Sequence, residues 1–213
     1  MISLINIAAL LIAYLIGSIA SAVWIGQIFY NTDVREYGSG NAGATNTFRV
    51  LGKKAGIGVL LIDSSKGWFS VNLATAMHFF GLSHLLPGTA PYIDLQLALG
   101  IAALLGHIFP VYVGFRGGKG IATLLGILLA IHTGAALISM GVFVIVLLTT
   151  RFVSLSSMIA SVSFPIVVIW FFQTTIPSLV IFSLLIAILV LITHQKNIER
   201  LLRNEESKAN IFQ

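Results

Sequence analysis

Long apolar runs constrain this chain more than any other feature. A run of about 18 or more apolar residues is a candidate for crossing a hydrocarbon core roughly 30 Å thick. Such runs lie at Leu4–Phe29, Ile57–Phe80, Ile93–Val113, Ile121–Thr150, Val153–Phe172 and Ile176–Thr193. Only 9% of the 213 residues are charged, against about 25% in a soluble domain. The runs leave no room for a water-soluble core, and the chain is expected to be an all-α integral membrane protein.

Ile121–Thr150 carries no charged residue. As one helix it would be about 45 Å long at 1.5 Å per residue, more than the membrane requires, so it divides at His132-Thr133-Gly134. Seven transmembrane helices result, two of them short. With seven crossings the segments 31–54, 114–120, 150–153 and the tail 194–213 fall on one side of the membrane. These segments hold every Lys and Arg of the chain's 12 except Lys66. The opposite loops, around Gly81–Tyr92, His132–Gly134 and Gln173–Pro177, hold none. Basic loops face the cytoplasm, so the N-terminus is expected outside and the C-terminus inside.

No basic stretch precedes Leu4, so a cleaved signal peptide is not expected. There is no cysteine, which excludes disulfides and an acyl-cysteine intermediate. The formal charge of +5 suits an anionic leaflet or anionic substrates. With no soluble segment and no inverted repeat, residues 1–213 read as one membrane-embedded domain.

Two tracts on the inner side carry chemistry. Gly38-Ser39-Gly40-Asn41-Ala42-Gly43-Ala44-Thr45-Asn46, followed by Arg49, offers close backbone approach, several hydrogen-bonding side chains and a guanidinium. Gly114-Phe115-Arg116-Gly117-Gly118-Lys119-Gly120 places Lys119 among glycines whose N–H groups can converge on an anion. Each tract alone would pass for a tight turn; two on one membrane face suggest phosphate binding. The second is not a nucleotide loop, because Val113 and Gly120 stand where the Walker pattern needs glycine and Ser/Thr.

Asp63 and Lys66 lie three residues apart in the second run, a spacing that pairs them on a helix face. Charges at membrane depth face each other or a polar cavity, so the pair supports the loops or reaches the substrate. His107, in the turn Gly106-His107-Ile108-Phe109-Pro110, is expected beside them. In the first run Tyr14, Gly17, Ser18 and Ser21 form a small-polar stripe that reads as helix packing. Arg151 to Ser156 places a cation and two hydroxyls at a membrane boundary, readable as a cap with a snorkelling arginine. His194 and Asn197 share a helix face, with His194 a general base or an orienting donor. No carboxylate or histidine cluster has metal-ligand spacing, so neither a metal nor another cofactor is expected.

Together, GSGNAGATN with Arg49, GHIFPVYVGFRGGKGIAT, RFVSLSS and HQKNIERL resemble the bacterial acyl-phosphate:glycerol-3-phosphate acyltransferases, the PlsY family, over nearly the whole length. The resemblance implies transfer of a fatty acyl group from acyl phosphate to the 1-hydroxyl of sn-glycerol 3-phosphate. The products would be lysophosphatidic acid and phosphate, in the first acylation of phospholipid synthesis. It also implies a site at the cytoplasmic face of the bacterial inner membrane. By motif position, Ser39, Gly40, Asn41, Thr45, Asn46 and Arg49 match one phosphate-binding loop, and Gly117, Gly118, Lys119 and Gly120 the other. Ser154, His194 and Asn197 match polar residues lining the same pocket, so Lys119, Arg49, His194, Asn197 and Ser154 are the catalytic candidates. Arg116 and Gln195-Lys196 are mild departures.

The partners implied are the two substrates, the bilayer and a soluble enzyme that makes the acyl phosphate; nucleic acid is not among them. Soluble-donor acyltransferases use a His-x4-Asp pair, whose only near match here is His194 with Glu199. An acyl phosphate, as a mixed anhydride, needs less activation, so direct attack without an acyl-enzyme is expected. The competing reading is a transporter of a small organophosphate. The absence of a repeat and the one-sided clustering of polar groups count against it.

Overall fold

The computed structural model describes residues 4–209. The expected outer start before Leu4 and the end of the expected inner tail, 210–213, lie outside them. The described chain is helical with no strand. Its helices are α1 Leu4–Gly17, α2 Ser21–Tyr30, α3 Ala44–Leu51, α4 Lys53–Phe79, α5 Ala90–Ile108, α6 Ile121–Ile131, α7 Thr133–Thr150, α8 Val153–Ile166, α9 Pro177–Thr193 and α10 Gln195–Leu202. Single 3₁₀ turns at Val34–Glu36 and Val111–Val113 precede the two glycine loops. Two compact units form, one ending at Ile131 and one beginning at His132.

In the first unit α1, α4, α5 and α6 pack through small residues. A Cβ on Gly17 would strike the backbone of Ala103, and one on Gly106 would lie 2.8 Å from the Ser18 nitrogen. A Cβ on Gly126 would strike the Ser64 carbonyl of α4. Without a hydrophobic drive between helices in lipid, such close approach supplies the packing energy. Ala13, Ala74, Tyr92 and Leu99 fill the centre of one cluster. The small-polar stripe of the first run therefore contains packing positions, but the run itself is broken. α1 and α2 meet at 41° across Ser18–Ala20, a break that the apolar pattern hides.

In the second unit α8 is continued by the π-helical segment Val167–Phe171. Pro165 lies just before it inside α8. Proline supplies no N–H to the ladder, and beyond it the Phe172 N–H bonds Val167 O at 3.0 Å, five residues back. The expected division near residue 132 is present. His132 precedes α7 with φ −148° and caps it, its Nδ1 accepting the Ala135 N–H at 3.2 Å. α9 and α10 join at a 58° bend at His194.

Among the described residues three helical stretches are long and apolar enough to cross a membrane, Ala90–Val113, Thr133–Thr150 and Val153–Phe171, and up to five if each bent pair counts as one span. The remaining expected spans differ for physical reasons. α4 has 27 residues, about 40 Å at 1.5 Å per residue, but contains Asp63 and Lys66. α6 has 11 residues, about 16 Å. α9 buries Leu179, Phe182, Ile186 and Val190 on one side and turns another apolar face outward, with Ile181, Leu185 and Ile192 more than half exposed. Such surface belongs in lipid, not water.

Candidate active site

The first glycine loop is shaped by its own short-range bonds. Asp33 caps the first 3₁₀ turn, its Oδ1 accepting the Arg35 N–H at 3.0 Å. Asn46 then staples the loop from α3: its Oδ1 accepts the Ser39 N–H at 2.8 Å, and its Nδ2 donates to Val34 O at 2.7 Å and Tyr37 O at 3.1 Å. At 1% exposure, this side chain works inside the loop. Gly38 (φ +62°) must be glycine there, because a Cβ would collide with the Asn46 amide. Ser39, Gly40, Thr45 and Arg49 are exposed along the same loop and α3, and Asn41 is half-buried.

The second loop folds back on the end of α5. Phe115 N–H bonds Pro110 O at 2.9 Å, Gly117 N–H bonds Ile108 O at 3.2 Å and Gly118 N–H bonds His107 O at 3.3 Å. These bonds engage two of the glycine amides that the sequence offered to an anion. Lys119 is half-buried beside them, and α6 begins directly after Gly120. The N–H groups of a helix's first turn have no partner within the helix and favour an anion.

The two loops touch. A Cβ on Gly118 would collide with the His107 ring and lie 2.7 Å from Ala42 O, so only glycine permits this contact. Beneath it sits a buried polar cluster. Asp63 Oδ1 accepts from Ser21 Oγ at 2.7 Å and pairs with Lys66 Nζ at 2.8 Å. Lys66 also donates to Ile19 O at 2.7 Å, a carbonyl released by the break between α1 and α2. His107 Nδ1 lies 3.7 Å from Asp63 Oδ1 and 3.0 Å from Thr123 Oγ1. A cavity of about 10 Å³ is lined by Ser21, Asp63, Lys66, His107, Gly117 and Gly118 among others. Asp63, Lys66 and His107 thus stand directly behind the meeting point of the loops.

In the second unit the polar contacts converge on Glu206, which is absent from the sequence motifs. Glu206 Oε1 accepts from Ser154 Oγ and from Asn197 Nδ2, both at 2.7 Å, and Oε2 pairs with Arg200 Nε at 2.7 Å. Burial raises the Glu206 carboxyl, but the hydrogen bonds from Arg200, Asn197 and Ser154 and the Arg200 charge outweigh it and hold it below its ordinary value. The Ala209 N–H bonds Arg151 O at 2.7 Å, fastening the tail to the start of α8. His194 is 3% exposed and its Nδ1 lies 2.8 Å from Val190 O. A carbonyl only accepts, so Nδ1 carries the proton of the neutral ring. Among the described residues no three His, Asp or Glu side chains gather as a metal-binding set.

A family model described as glycerol-3-phosphate acyltransferase matches residues 7–204. The chain belongs to this family. It is 41% identical over 209 residues to the glycerol-3-phosphate acyltransferase of Enterococcus faecalis, covering 94% of this chain and 90% of the relative. It is 42% identical over 203 residues to glycerol-3-phosphate acyltransferase 2 of Bacillus anthracis, covering 95% and 98%. Among solved structures it resembles PlsY, an integral membrane glycerol 3-phosphate acyltransferase, in its glycerol 3-phosphate form. The TM-score is 0.83 at 34% identity, over 98% of this chain and 99% of that one. The lysophosphatidic acid form gives 0.78 at 34% identity, over 95% and 94%.

Within this family framework, sequence reading missed Asp33, Arg35 and Glu206. The tie of Glu206 to Ser154 gave no signal, since 52 residues separate the two. The Asp-x-Arg spacing of Asp33 and Arg35 was the only available cue for that pair.

Proposed function

We propose that the chain is a glycerol-3-phosphate acyltransferase whose donor is an acyl phosphate and whose products are 1-acyl-sn-glycerol 3-phosphate and inorganic phosphate. The observation that carries this reading is the meeting of two glycine loops, Ala42 against Gly118, with Arg49 on α3, the helix that follows the first loop, and Lys119 on the second. Two anionic substrates require cations on preorganised backbone, and neither nucleotide nor metal chemistry is needed for an activated anhydride. Family membership over residues 7–204 supports treating the whole chain as one acyltransferase domain.

In the reaction the 1-hydroxyl oxygen of glycerol 3-phosphate attacks the acyl carbonyl carbon. The bond from that carbon to the phosphate oxygen breaks, phosphate leaves with the electron pair, and the hydroxyl proton passes to a phosphate oxygen. Lys119 and Arg49 neutralise the phosphates, with Ser39, Gly40, Asn41 and Thr45 beside Arg49 and the N-terminus of α6 beside Gly120. Asn46, Gly117 and Gly118 shape the loops, while Asp63, Lys66 and His107 support them. Ser154 and Asn197 are held by Glu206. His194 is the alternative proton acceptor. Its loss separates the two routes: a fall in turnover of about 10³-fold with unchanged binding indicates a histidine base, and a modest fall indicates transfer to phosphate.

The reading includes seven membrane crossings, with the N-terminus outside, both loops at the cytoplasmic face of the bacterial inner membrane, and donor delivery by a soluble acyl-phosphate-forming enzyme. The distribution of Lys and Arg supports that orientation. Purified protein given acyl phosphate and glycerol 3-phosphate tests the function. The expected result is phosphate release in step with acylated product.

A further inference from the structure

Arg35 joins the two glycine loops through a single planar group. Its Nε and Nη2 face the Asp33 carboxylate at 3.0 and 2.7 Å, in the fork geometry that favours guanidinium over ammonium. Its Nη1 donates across to Val113 O at 3.0 Å and, more weakly, to Arg116 O at 3.4 Å. Those carbonyls bracket Gly114 and Phe115, both in the left-handed region at φ +72° and +60°. Such a turn, in a segment with four glycines, is entropically costly to order. Lys119 follows three residues after Arg116.

We infer that Arg35, oriented by Asp33, is a positioning residue of the acyl-transfer site, a strap that sets the Lys119 loop against the Ser39–Arg49 loop before substrate arrives. This rests on the function proposed above. Asp33 neutralises the guanidinium, so the strap contributes geometry and adds little net charge for phosphate. The Gln27 amide, 3.5 Å from Asp33 Oδ2, is a further neutral contact. The Arg35 side chain is 21% exposed and that of Asp33 17%, so the pair is partly shielded from water and salt. The Arg35 guanidinium holds the Asp33 carboxyl below its usual range, and Asp33 raises Arg35 in turn. The pair therefore stays charged throughout the neutral range.

A strap that preorganises the loops has a distinct kinetic signature. Without it the loops must be ordered when substrate binds, which weakens ground state and transition state alike. The test uses the full chain in detergent with acyl phosphate and glycerol 3-phosphate. Arg35→Ala is expected to raise KM for glycerol 3-phosphate roughly 10- to 100-fold, in the range of mispositioning effects, with kcat within about threefold. Calorimetric titration with glycerol 3-phosphate should show a parallel rise in Kd. Arg35→Lys should fail to restore KM, because an ammonium cannot span the Asp33 carboxylate and the Val113 carbonyl together. Asp33→Asn, a milder change for use if Arg35→Ala does not fold, should shift KM in the same direction. Wild-type KM in Arg35→Ala or Asp33→Asn overturns the strap, as does full rescue by Arg35→Lys, which assigns charge alone. Wild-type protein that neither binds nor acylates glycerol 3-phosphate overturns the proposed function itself.

Discussion

The buried pair Asp63–Lys66 gives the sharpest energetic expectation. Both side chains are almost fully buried, at 1% and 4% exposure, and Nζ to Oδ1 is 2.8 Å. Lys66→Met leaves the Asp63 carboxylate with Ser21 as its hydrogen-bond donor, since Oδ2 has no hydrogen-bond partner. Leaving one member of a buried pair unmatched costs about 3–5 kcal/mol. Asp63→Asn is expected in the lower part of that range, because the amide oxygen can still accept from Lys66. Removing both charges abolishes the unmatched ion and leaves the Ile19 carbonyl without its donor, at about 1–3 kcal/mol, while the amide oxygen introduced at position 63 can still accept from Ser21. The double variant Asp63→Asn/Lys66→Met should therefore be less destabilised than the sum of the singles, with a coupling of about 2 kcal/mol or more. Thermal and denaturant unfolding in detergent micelles, completed as a double-mutant cycle, measures it. Additivity within about 0.5 kcal/mol would refute the argument that the pair is a mutually dependent buried unit.

Other expectations follow from the same geometry. Gly118→Ala should reduce kcat/KM by more than about tenfold, because its Cβ would push the loops apart at Ala42 and His107; Gly141→Ala, with nothing within 4 Å, should leave the rate unchanged in the same assay. Glu206→Gln should loosen the tail, read as faster hydrogen exchange of the Ala209 amide that bonds Arg151 O. The Glu206 carboxyl lies below its ordinary 4.5 in the folded chain. Its fastening is thus fully present above about 4.5 and is lost as pH falls through the lower folded value. Wild-type Ala209 should accordingly lose protection only in acid, and equal protection in wild type and Glu206→Gln near neutral pH would count against this role.

Much of the helical framework was legible because hydrophobic run length is a physical requirement of crossing a bilayer. The division near His132 followed from length alone, and His132 serves there as the cap of α7. The break between α1 and α2 was not legible, since Gly17, Ser18 and Ser21 also suit helix packing, and only the reach of Lys66 to Ile19 O shows how a polar backbone is accommodated there. α3 was hidden within an apparently polar loop because its residues form just over two turns with Asn46 and Thr47 facing inward. Of the candidate site, the two glycine tracts were visible as composition and spacing. Their supports, Arg35 on Val113 and Glu206 on Ser154, were not, because each joins residues distant in sequence. Pairings of that kind are set by the fold, and a single sequence contains no periodicity that reports them.

The central claim is that the two joined glycine loops make this chain an acyl-phosphate-dependent acyltransferase. Its most direct test is to incubate purified protein with acyl phosphate and sn-glycerol 3-phosphate and follow phosphate and lysophosphatidic acid together, with Lys119→Ala alongside. One phosphate released per acylated product by the wild type, and loss of both with Lys119→Ala, is the expected result. Wild-type protein that yields no acylated product, or a Lys119→Ala variant that turns over like wild type, would contradict it.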